Sequence, residues 1–471
     1  MEGFSEKKHK NIVPGGVAEL SFIALPMVVS AGCDTAMIFI DRLFLSRLGP
    51  EQMNAALGGG VASFMLLTFF IGLTGYSTAL VAQYLGSGMK QKCPVVITQS
   101  MIVCVAAYPL LLALRPLGPW MFAKSGIDPA QLASQSLYFN ILVSASIVGL
   151  ARSALSCFFS GVGRTRVVMI STLVSMAVNV CANYALIFGK FGFPAMGIRG
   201  AAYGTVLGGA CGVAVLAFAY FGAKNRAEFG VGRSFFFDAA AMAKLWRFGS
   251  PAGFEFLLNM AAFNAMILAF HSRGPVAATA ATVLFNWDLV AFVPLIGMEI
   301  GVTSLVGRYM GAGKPDIAHR SAMSGIKIGC IYSAVMLTLF AGFPETLVGV
   351  FRPAAADSVF DAAAPTAAFM IRLAAVYVSI EAVVLVLMGA LRGAGDTFFA
   401  MLISVATHWI LVPTLYVMLH VMNTSVEAAW VALVSVFMVF SLAIYLRYRS
   451  GKWREIKVVS APPGPPPFPA D

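Results

Sequence analysis

Long apolar runs separated by short polar connections make up most of the chain. About twelve of the runs reach the roughly 20 residues that a helix needs to cross a bilayer. They lie at 20–48, 55–86, 94–120, 131–162, 166–189, 197–222, 245–270, 276–310, 320–344, 363–391, 397–420 and 428–447. The pattern predicts an all-α membrane protein with about twelve transmembrane helices.

Several of these runs are too long to cross the membrane as straight, upright helices. Such runs are accommodated by tilting or kinking, and sharp kinks are commonest at proline. Four prolines inside the runs are candidate break points: Pro26, Pro109, Pro294 and Pro413. The first run exceeds the length of a signal-peptide core and lacks a clear cleavage site, so we count it as a true span.

The composition agrees with this pattern. Hydrophobic residues make up 59% of the 471 positions and charged residues 11%, against about 25% charged residues in an ordinary soluble domain. About 21 Lys and Arg residues fall on one side of the membrane and about 7 on the other, and such an excess marks the cytoplasmic side. We therefore expect an integral protein of the inner or plasma membrane with both termini cytoplasmic. This bias explains the net charge of +11 without a nucleic-acid partner.

The two halves of the chain carry matching segments. GLTGYSTALVAQYLGSG at 72–88 aligns without a gap to GMEIGVTSLVGRYMGAG at 297–313, and GVGRT at 161–165 matches GAGDT at 393–397. The two offsets are nearly equal, which indicates a duplicated six-helix unit. We expect two six-helix bundles related by a pseudo-twofold axis along the membrane normal, with the substrate path between them.

The repeats set the expected domain boundaries. Residues 1–222 form the N-terminal six-helix lobe and residues 248–450 the C-terminal one. The basic segment 223–247 is expected to be a cytoplasmic linker, most simply a solvated loop. The Pro-rich end predicts a disordered cytoplasmic tail over 451–471.

Six carboxylates lie inside the apolar runs. They are Asp34, Asp41, Glu255, Asp288, Glu299 and Glu381. A charged side chain at the centre of a membrane helix costs about 2.5–3.5 kcal/mol on insertion scales, so retaining six of them points to a function. The alternative for any one acid is a place near a helix end or an ion pair with a neighbouring helix. Cations available for such pairs are Arg42, Arg152, Lys327 and Arg372.

In the second half, spacing groups acids with polar neighbours. Tyr377 and Glu381 are four residues apart and share a helix face, so the phenol can hydrogen-bond to the carboxylate or coordinate an ion with it. Glu255 and Asn259 repeat this spacing. Glu299 follows a proline and a glycine, where a helix can open. The second half therefore offers a cluster of oxygen ligands.

The first half offers a separate polar set. Asp34 and Asp41 are two turns apart on one helical face and can line one cavity. Asn179 and Asn183 again share a face at a spacing of four. Paired asparagines alone are a weak signal, since buried amides often only hold helices together.

The sequence contains no recognisable catalytic or ATP-binding machinery. YMGAGKPD at 309–316 resembles part of a P-loop, but Arg308 and Pro315 stand where that motif requires Gly and Ser or Thr. The five histidines are dispersed, and the seven cysteines include no CxxC pair. We therefore expect neither an enzyme nor a cofactor. Transport would be driven by an ion gradient or by the gradient of the substrate itself.

The order of these motifs resembles the MATE (multidrug and toxic compound extrusion) transporters, which are twelve-helix antiporters made of two six-helix lobes. The resemblance covers about residues 15–450. DRLFLSRLG at 41–49 looks like the family's first-helix pattern, and GVTSLVGRYMGAGK at 301–314 resembles its eighth helix. NVCANYALIFGKFGFPAMGIRGAAYGT at 179–205 is similar to helices five and six, and AAVYVSIEAVVLVLMGALRGAGDT at 374–397 is similar to helix ten.

The resemblance implies roles for residues of the first lobe. Asp41 falls where many members keep an acid that binds a proton. Asn179 falls on an asparagine that accompanies this acid, and Thr205 on a polar residue nearby. Asn183 departs from the pattern, because members with a proton-linked site often have Asp there.

The resemblance also bears on the second lobe. Tyr377 and Glu381 fall where some cation-coupled members place a Tyr and an acid. Those members have a further acid where this chain has Asn259, with Glu255 one turn earlier. The resemblance thus implies either a reoriented Na⁺ site at Glu255, Tyr377 and Glu381, or none.

The expected activity is secondary antiport. An organic, cationic or amphipathic compound leaves the cell while H⁺ or Na⁺ enters, as the two lobes alternate between inward-open and outward-open states. Small organic molecules and membrane lipids are the expected partners, and we expect a monomer. The alternative is a flippase for lipid-linked precursors with a related fold, which would favour a large cationic cavity and extra helices.

Overall fold

The computed structural model describes residues 13–124, 129–352 and 358–459. Within these ranges the regular structure is helical. The α-helices are α1 (Val17–Ser46), α2 (Pro50–Gly75), α3 (Ser77–Gly86), α4 (Lys92–Leu114), α5 (Leu117–Lys124), α6 (Pro129–Ser144), α7 (Ser146–Gly161), α8 (Thr165–Phe188), α9 (Ile198–Tyr220), α10 (Ala223–Phe229), α11 (Ala239–His271), α12 (Pro275–Gly311), α13 (Pro315–Gly342), α14 (Pro344–Gly349), α15 (Ser358–Ala394), α16 (Thr397–Tyr416) and α17 (Val426–Arg449).

The apolar helices account for the expected membrane spans. In the described ranges, 11 helices are long and apolar enough to cross a membrane, and there are 12 spans when the bent pair α6 and α7 counts as one. These spans coincide with the twelve apolar runs of the sequence. The prediction of an all-α membrane protein with about twelve transmembrane helices is confirmed.

None of the four candidate prolines interrupts its helix. Pro26, Pro109, Pro294 and Pro413 all lie inside continuous α-helices. The interruptions fall instead at Tyr76, between α2 and α3, at Arg115 and Pro116, between α4 and α5, and at Ala145, where α6 and α7 meet at 47°. The helix also does not open at Glu299. Neighbouring helices can satisfy the backbone groups that a proline frees, so its helix can continue.

Four glycine turns stand at matching positions of the repeats. Gly88, Gly163, Gly313 and Gly395 have φ angles of 81°, 76°, 68° and 100°, in the region that glycine adopts at little cost. Each is the second glycine of a G-x-G sequence. After three of these turns a new helix begins two residues later, at α8, α13 and α16. The sequence repeat therefore corresponds to a repeated helix–turn–helix geometry.

The chain folds into two compact units. The first unit contains Val29–Phe254, Gly307–Pro315 and the last described residues from 457 onward, and the second contains the residues up to Val28, Glu255–Val306 and Asp316–Ile456. The second unit has an extended apolar core that includes Phe270, Phe340 and Trp430. The predicted lobes, 1–222 and 248–450, stay a prediction.

The expected linker, 223–247, is packed and largely helical. It contains α10, a 3₁₀ turn at Val231–Arg233 and the first residues of α11. Asn225, Phe229 and Val231 are buried. The expectation of a solvated loop is therefore wrong, because these side chains pack into the first unit.

Order also continues beyond residue 450. Lys452–Glu455 form a 3₁₀ helix in which Trp453 is buried. The Trp453 ring stacks on Tyr448, with ring centroids 5.1 Å apart. Disorder therefore does not begin at 451, whereas the Pro-rich end, 460–471, lies outside the described residues.

Candidate functional site

Asp41 lies at the centre of a polar cluster in the first unit. The Asn183 side-chain amide donates a hydrogen bond to Asp41 Oδ1, and the Thr205 hydroxyl donates to Oδ2 at 3.3 Å. Asn179 Nδ2 donates to Thr205 Oγ1 at 3.4 Å. Asp41 and both asparagines are buried. The structure thus brings together all four first-lobe residues that the resemblance singled out.

Glycines on α9 make room for this cluster. A Cβ atom at Gly204 would overlap the Asn183 side-chain oxygen, and one at Gly208 would lie 2.8 Å from Asn179 Cβ. Helix α9 can therefore approach α8 closely enough to place Thr205 beside Asn179 and Asp41. The sequence contained this signal in the small residues of RGAAYGT at 199–205, but the spacing of the polar residues alone did not reveal it.

Asp34 has a different partner from Asp41. Arg152 Nη2 on α7 lies 2.6 Å from Asp34 Oδ1 and 2.8 Å from Oδ2. The side chains remain 39% exposed for Asp34 and 22% for Arg152. Asp34 lies about 18 Å from the C-terminal end of α1, at 1.5 Å per residue. An exposed ion pair at this depth is costly in lipid, which favours contact with a water-filled cavity.

In the second unit, Tyr377 contacts Asp288 rather than Glu381. The Tyr377 hydroxyl donates a hydrogen bond to Asp288 Oδ1. Glu381 is 8% exposed, and its Oε2 has no hydrogen-bond partner among the described residues. Glu381 is close enough to Asp288 for the two carboxylates to interact electrostatically. The tyrosine that the sequence paired with Glu381 therefore hydrogen-bonds to a third residue, Asp288, instead.

The other two acids of the second unit surround an arginine. Arg392 Nη2 lies 2.9 Å from Glu255 Oε2, and Nη1 contacts Glu299 Oε1. Both acids are buried. The sequence did not reveal Arg392, because the apolar run ended at residue 391 and placed the arginine in a cytoplasmic connection. The helix in fact continues to Ala394.

This ion-pair cluster changes the expected cation site. Glu255 is bound to Arg392, whereas Tyr377 is bound to Asp288, so the predicted set of Glu255, Tyr377 and Glu381 does not fit a shared Na⁺ ion. Asn259 donates instead to the Ser404 hydroxyl at 2.8 Å. In the part of the chain that the structure describes, no group of three or more His, Cys, Asp or Glu side chains is placed to hold a metal ion.

The six membrane acids therefore fall into two groups. Asp34, Glu255 and Glu299 each contact an arginine. Among the described residues, the other three acids contact neutral groups or another acid: Asp41, Asp288 and Glu381. A carboxylate without a nearby cation in the membrane is stabilised by taking up a proton or a metal cation.

A family model and named relatives match most of the chain. The MatE family model matches residues 26–185 and 251–417. The chain is 25% identical to "Probable multidrug resistance protein NorM" of Thermotoga maritima over 458 residues, 96% of either chain. It is 26% identical to "Multidrug resistance protein PmpM" of Pseudomonas aeruginosa over 403 residues, covering 83% of this chain and 81% of that protein.

Solved structures share the fold. A transporter of the MOP superfamily from Pyrococcus furiosus superposes with a TM-score of 0.85 at 17% identity, over 94% of this chain and 97% of that one. An outward-facing multidrug resistance MATE family transporter gives a TM-score of 0.83 at 17% identity, over 93% and 96%. In the described ranges up to twelve apolar spans are present, and together with the named relatives they define an integral membrane transporter. The family match extends over more than half of the sequence, and the chain belongs to the MatE family of MATE transporters.

Proposed function

We propose that the protein is a secondary antiporter that exports organic, cationic or amphipathic compounds in exchange for H⁺ or Na⁺. The relatives named above as multidrug resistance proteins support the substrate class. One observation carries the proposal: each unit holds at least one membrane carboxylate that pairs with no arginine or lysine among the described residues. These are Asp41 in the first unit, and Asp288 with Glu381 in the second.

These acids have the properties that ion coupling requires. Two carboxylates near one another in a low-dielectric site repel when both are charged, so Asp288 and Glu381 favour a bound cation. Binding or release of that cation changes the free energy of each transporter state by its differential interaction with the site. Alternating access follows when the substrate and the ion favour opposite states. In this proposal Glu255 and Glu299 hold helices through Arg392.

The membrane potential can supply useful energy to such an exchange. Inward movement of one positive charge releases about 2.3 kcal/mol per 100 mV, which corresponds to roughly fiftyfold accumulation of substrate on the other side. The proposal requires neither ATP nor a covalent intermediate. We further propose that the protein acts as a monomer and that both of its termini lie in the cytoplasm.

The pair formed by Asp34 and Arg152 is the proposed contact for polar substrate groups. Both charges remain partly exposed within the span, so a cationic group can approach Asp34 without displacing a buried side chain. Because Arg152 already neutralises Asp34, this site would bind substrate and would not by itself couple an ion.

The proposal is tested by efflux from reconstituted vesicles. Purified protein is placed in liposomes loaded with a fluorescent organic cation, and efflux is followed after imposing a pH gradient or a sodium gradient separately. We expect one gradient to drive efflux above the rate in protein-free liposomes. Efflux that is indifferent to both gradients, from well-folded protein, would contradict antiport.

A further inference from the structure

A cavity of about 400 Å³ lies in the first unit, away from the membrane acids. It is bounded by the C-terminal ends of α3, α7 and α12 and by the turns that lead into α8 and α13. Its charged lining residues are Arg164, Glu228, Arg308 and Lys314. Because several membrane spans end here, the cavity belongs at the level of the lipid headgroups. The excess of Lys and Arg in the sequence assigns this side to the cytoplasm.

The charge of this cavity is predominantly positive. Three of its lining side chains are cationic and one is acidic. The acid, Glu228, already receives a hydrogen bond from Lys90 at 3.1 Å and one from Arg164. Partial burial disfavours the charged form of Glu228, but these hydrogen bonds outweigh it and hold the pKa of Glu228 below its usual value. Even with Glu228 ionised, positive charge remains in excess.

The glycine turns place two of the cations. Each follows a left-handed glycine and stands immediately before a long helix, Arg164 before α8 and Lys314 before α13. The first turn of a helix presents unpaired N–H groups and the positive end of the helix dipole, which favours anions nearby. The Lys314 side chain is exposed, so it can reach a ligand without first leaving the protein interior.

Close packing of two repeat segments fixes the floor of the cavity. A Cβ atom at Gly86 would overlap the Arg308 carbonyl oxygen, and one at Gly311 would overlap the Gln83 carbonyl oxygen. The ends of α3 and α12 therefore meet backbone to backbone. Arg308 also donates to the Val162 carbonyl at 3.2 Å, which ties α12 to the end of α7. The cationic groups are thus held on a rigid base.

We propose that this cavity binds the phosphate group of an anionic ligand, foremost the headgroup of an anionic phospholipid. Guanidinium groups bind phosphate oxygens with directed, charge-assisted hydrogen bonds, and lysine adds a compact charge. Basic pockets between membrane helices at the cytoplasmic surface suit lipid headgroups of this kind. The site is separate from the exchange of ions and substrate, so either proposal can fail without the other.

The test uses the purified full-length protein in a neutral detergent. Its unfolding temperature is titrated with phosphatidylglycerol, with phosphatidylcholine, and with inorganic phosphate at constant ionic strength. The first variant is Lys314→Gln, which removes one charge from an exposed side chain. A matched pair follows at the exposed Ala312: Ala312→Glu adds a negative charge to the lining, whereas Ala312→Gln adds a side chain of the same size without it. Arg226→Gln is the control, since Arg226 is exposed on α10 and does not line the cavity.

We expect phosphatidylglycerol to raise the unfolding temperature more than phosphatidylcholine does. Each surface cation is worth about 1 kcal/mol toward an anionic headgroup, so Lys314→Gln and Ala312→Glu should weaken the apparent affinity about fivefold. Ala312→Gln and Arg226→Gln should respond like the unaltered protein. If inorganic phosphate reproduces the whole effect, with the same dependence on the variants, the ligand is a soluble phosphate. If all variants respond equally to phosphatidylglycerol and equally to inorganic phosphate, the proposal is overturned.

Discussion

At the residue scale, the division of the membrane acids by partner is the most informative feature. Asp41, Asn179, Asn183 and Thr205 could be assembled from the sequence, because their motifs recur in order in a recognisable family. The contact between Tyr377 and Asp288 could not, since it joins α12 to α15, and helical spacing describes only neighbours on one helix. Contacts between helices depend on how helices rotate against one another, which the apolar pattern leaves open.

Glu381→Gln should abolish gradient-driven efflux while the protein still folds. Glutamine keeps the shape of the side chain but cannot take up or release a cation. Efflux from liposomes measures the first effect, and the unfolding temperature measures the second. Glu345→Gln is the matched control, because Glu345 is 66% exposed and pairs with Arg372 at the surface. Normal gradient-driven efflux by Glu381→Gln would remove this acid from the mechanism. Tyr377→Phe should reduce efflux less than Glu381→Gln does.

Asp41→Asn should impair transport and change its pH dependence. The groups that contact Asp41 are neutral amides and a hydroxyl, so the exchangeable charge of the cluster belongs to Asp41 itself. The measurement is the initial efflux rate across a series of pH values. If Asn183, in place of an acid, has dismantled the first-unit site, the pH profile will be unchanged while Glu381→Gln still blocks efflux. Coupling would then belong to the second unit alone.

Arg392→Gln should destabilise the protein strongly. It leaves Glu255 and Glu299 buried without their cation, and removal of one partner from a buried ion pair costs about 3–5 kcal/mol. Arg372→Gln makes the same change in an exposed pair and should cost about 1 kcal/mol or less. Thermal unfolding in detergent compares the two. A triple variant that also carries Glu255→Gln and Glu299→Gln should recover part of the loss; no recovery would mean that Arg392 acts through packing.

At the element scale, the spans follow from the sequence and their interruptions do not. Each apolar run became a helix because every backbone polar group in a bilayer must be satisfied internally. Prolines at the candidate positions stay inside helices, whereas the bend of 47° falls at Ala145, in a stretch without proline. The packing of the segment 223–247 was also not predicted. Its many basic residues indicated a solvated loop, although Phe229 and Val231 are buried.

Gly204→Ala should lower both stability and transport. The added methyl group would overlap the Asn183 side chain, so α9 must move away from α8 or the amide must leave Asp41. Overpacking of this kind costs about 1–3 kcal/mol. Gly32→Ala is the control for stability, because a Cβ there has no atom within 4 Å, and alanine favours a helix. Unfolding temperatures that fall equally for both variants would contradict this account of α9.

At the scale of the whole molecule, the distribution of Lys and Arg predicts how the chain is oriented in the membrane. An excess of Lys and Arg in short connections marks the cytoplasmic side. The chain has both ends on one side when it crosses an even number of times, and twelve spans satisfy this condition. Arg392 pairs with two buried acids near the end of α15, and leaving it out of the cytoplasmic count does not reverse the excess.

The proposed topology is tested by labelling a single cysteine. Ala227→Cys, in a variant whose seven native cysteines have been replaced, puts a thiol on an exposed position of α10. An impermeant maleimide should label this thiol only after the cells are opened. A cysteine at exposed Phe191, in the connection between α8 and α9, should react in intact cells and serves as the control. If the reagent labels Ala227→Cys from outside intact cells, the proposed orientation is wrong.

The backbone contacts at Gly86 and Gly311 bear on how the duplicated chain arose. These glycines are equivalent positions of the two repeats, and so are the residues they approach, Arg308 and Gln83. Gly86 of the first repeat approaches Arg308 of the second, and Gly311 of the second approaches Gln83 of the first. This reciprocal pattern is that of an isologous interface in a twofold homodimer. A six-helix protein made of one repeat could form the same contact with a second copy of itself. Joining two such copies into one gene would have required no new surface at this place.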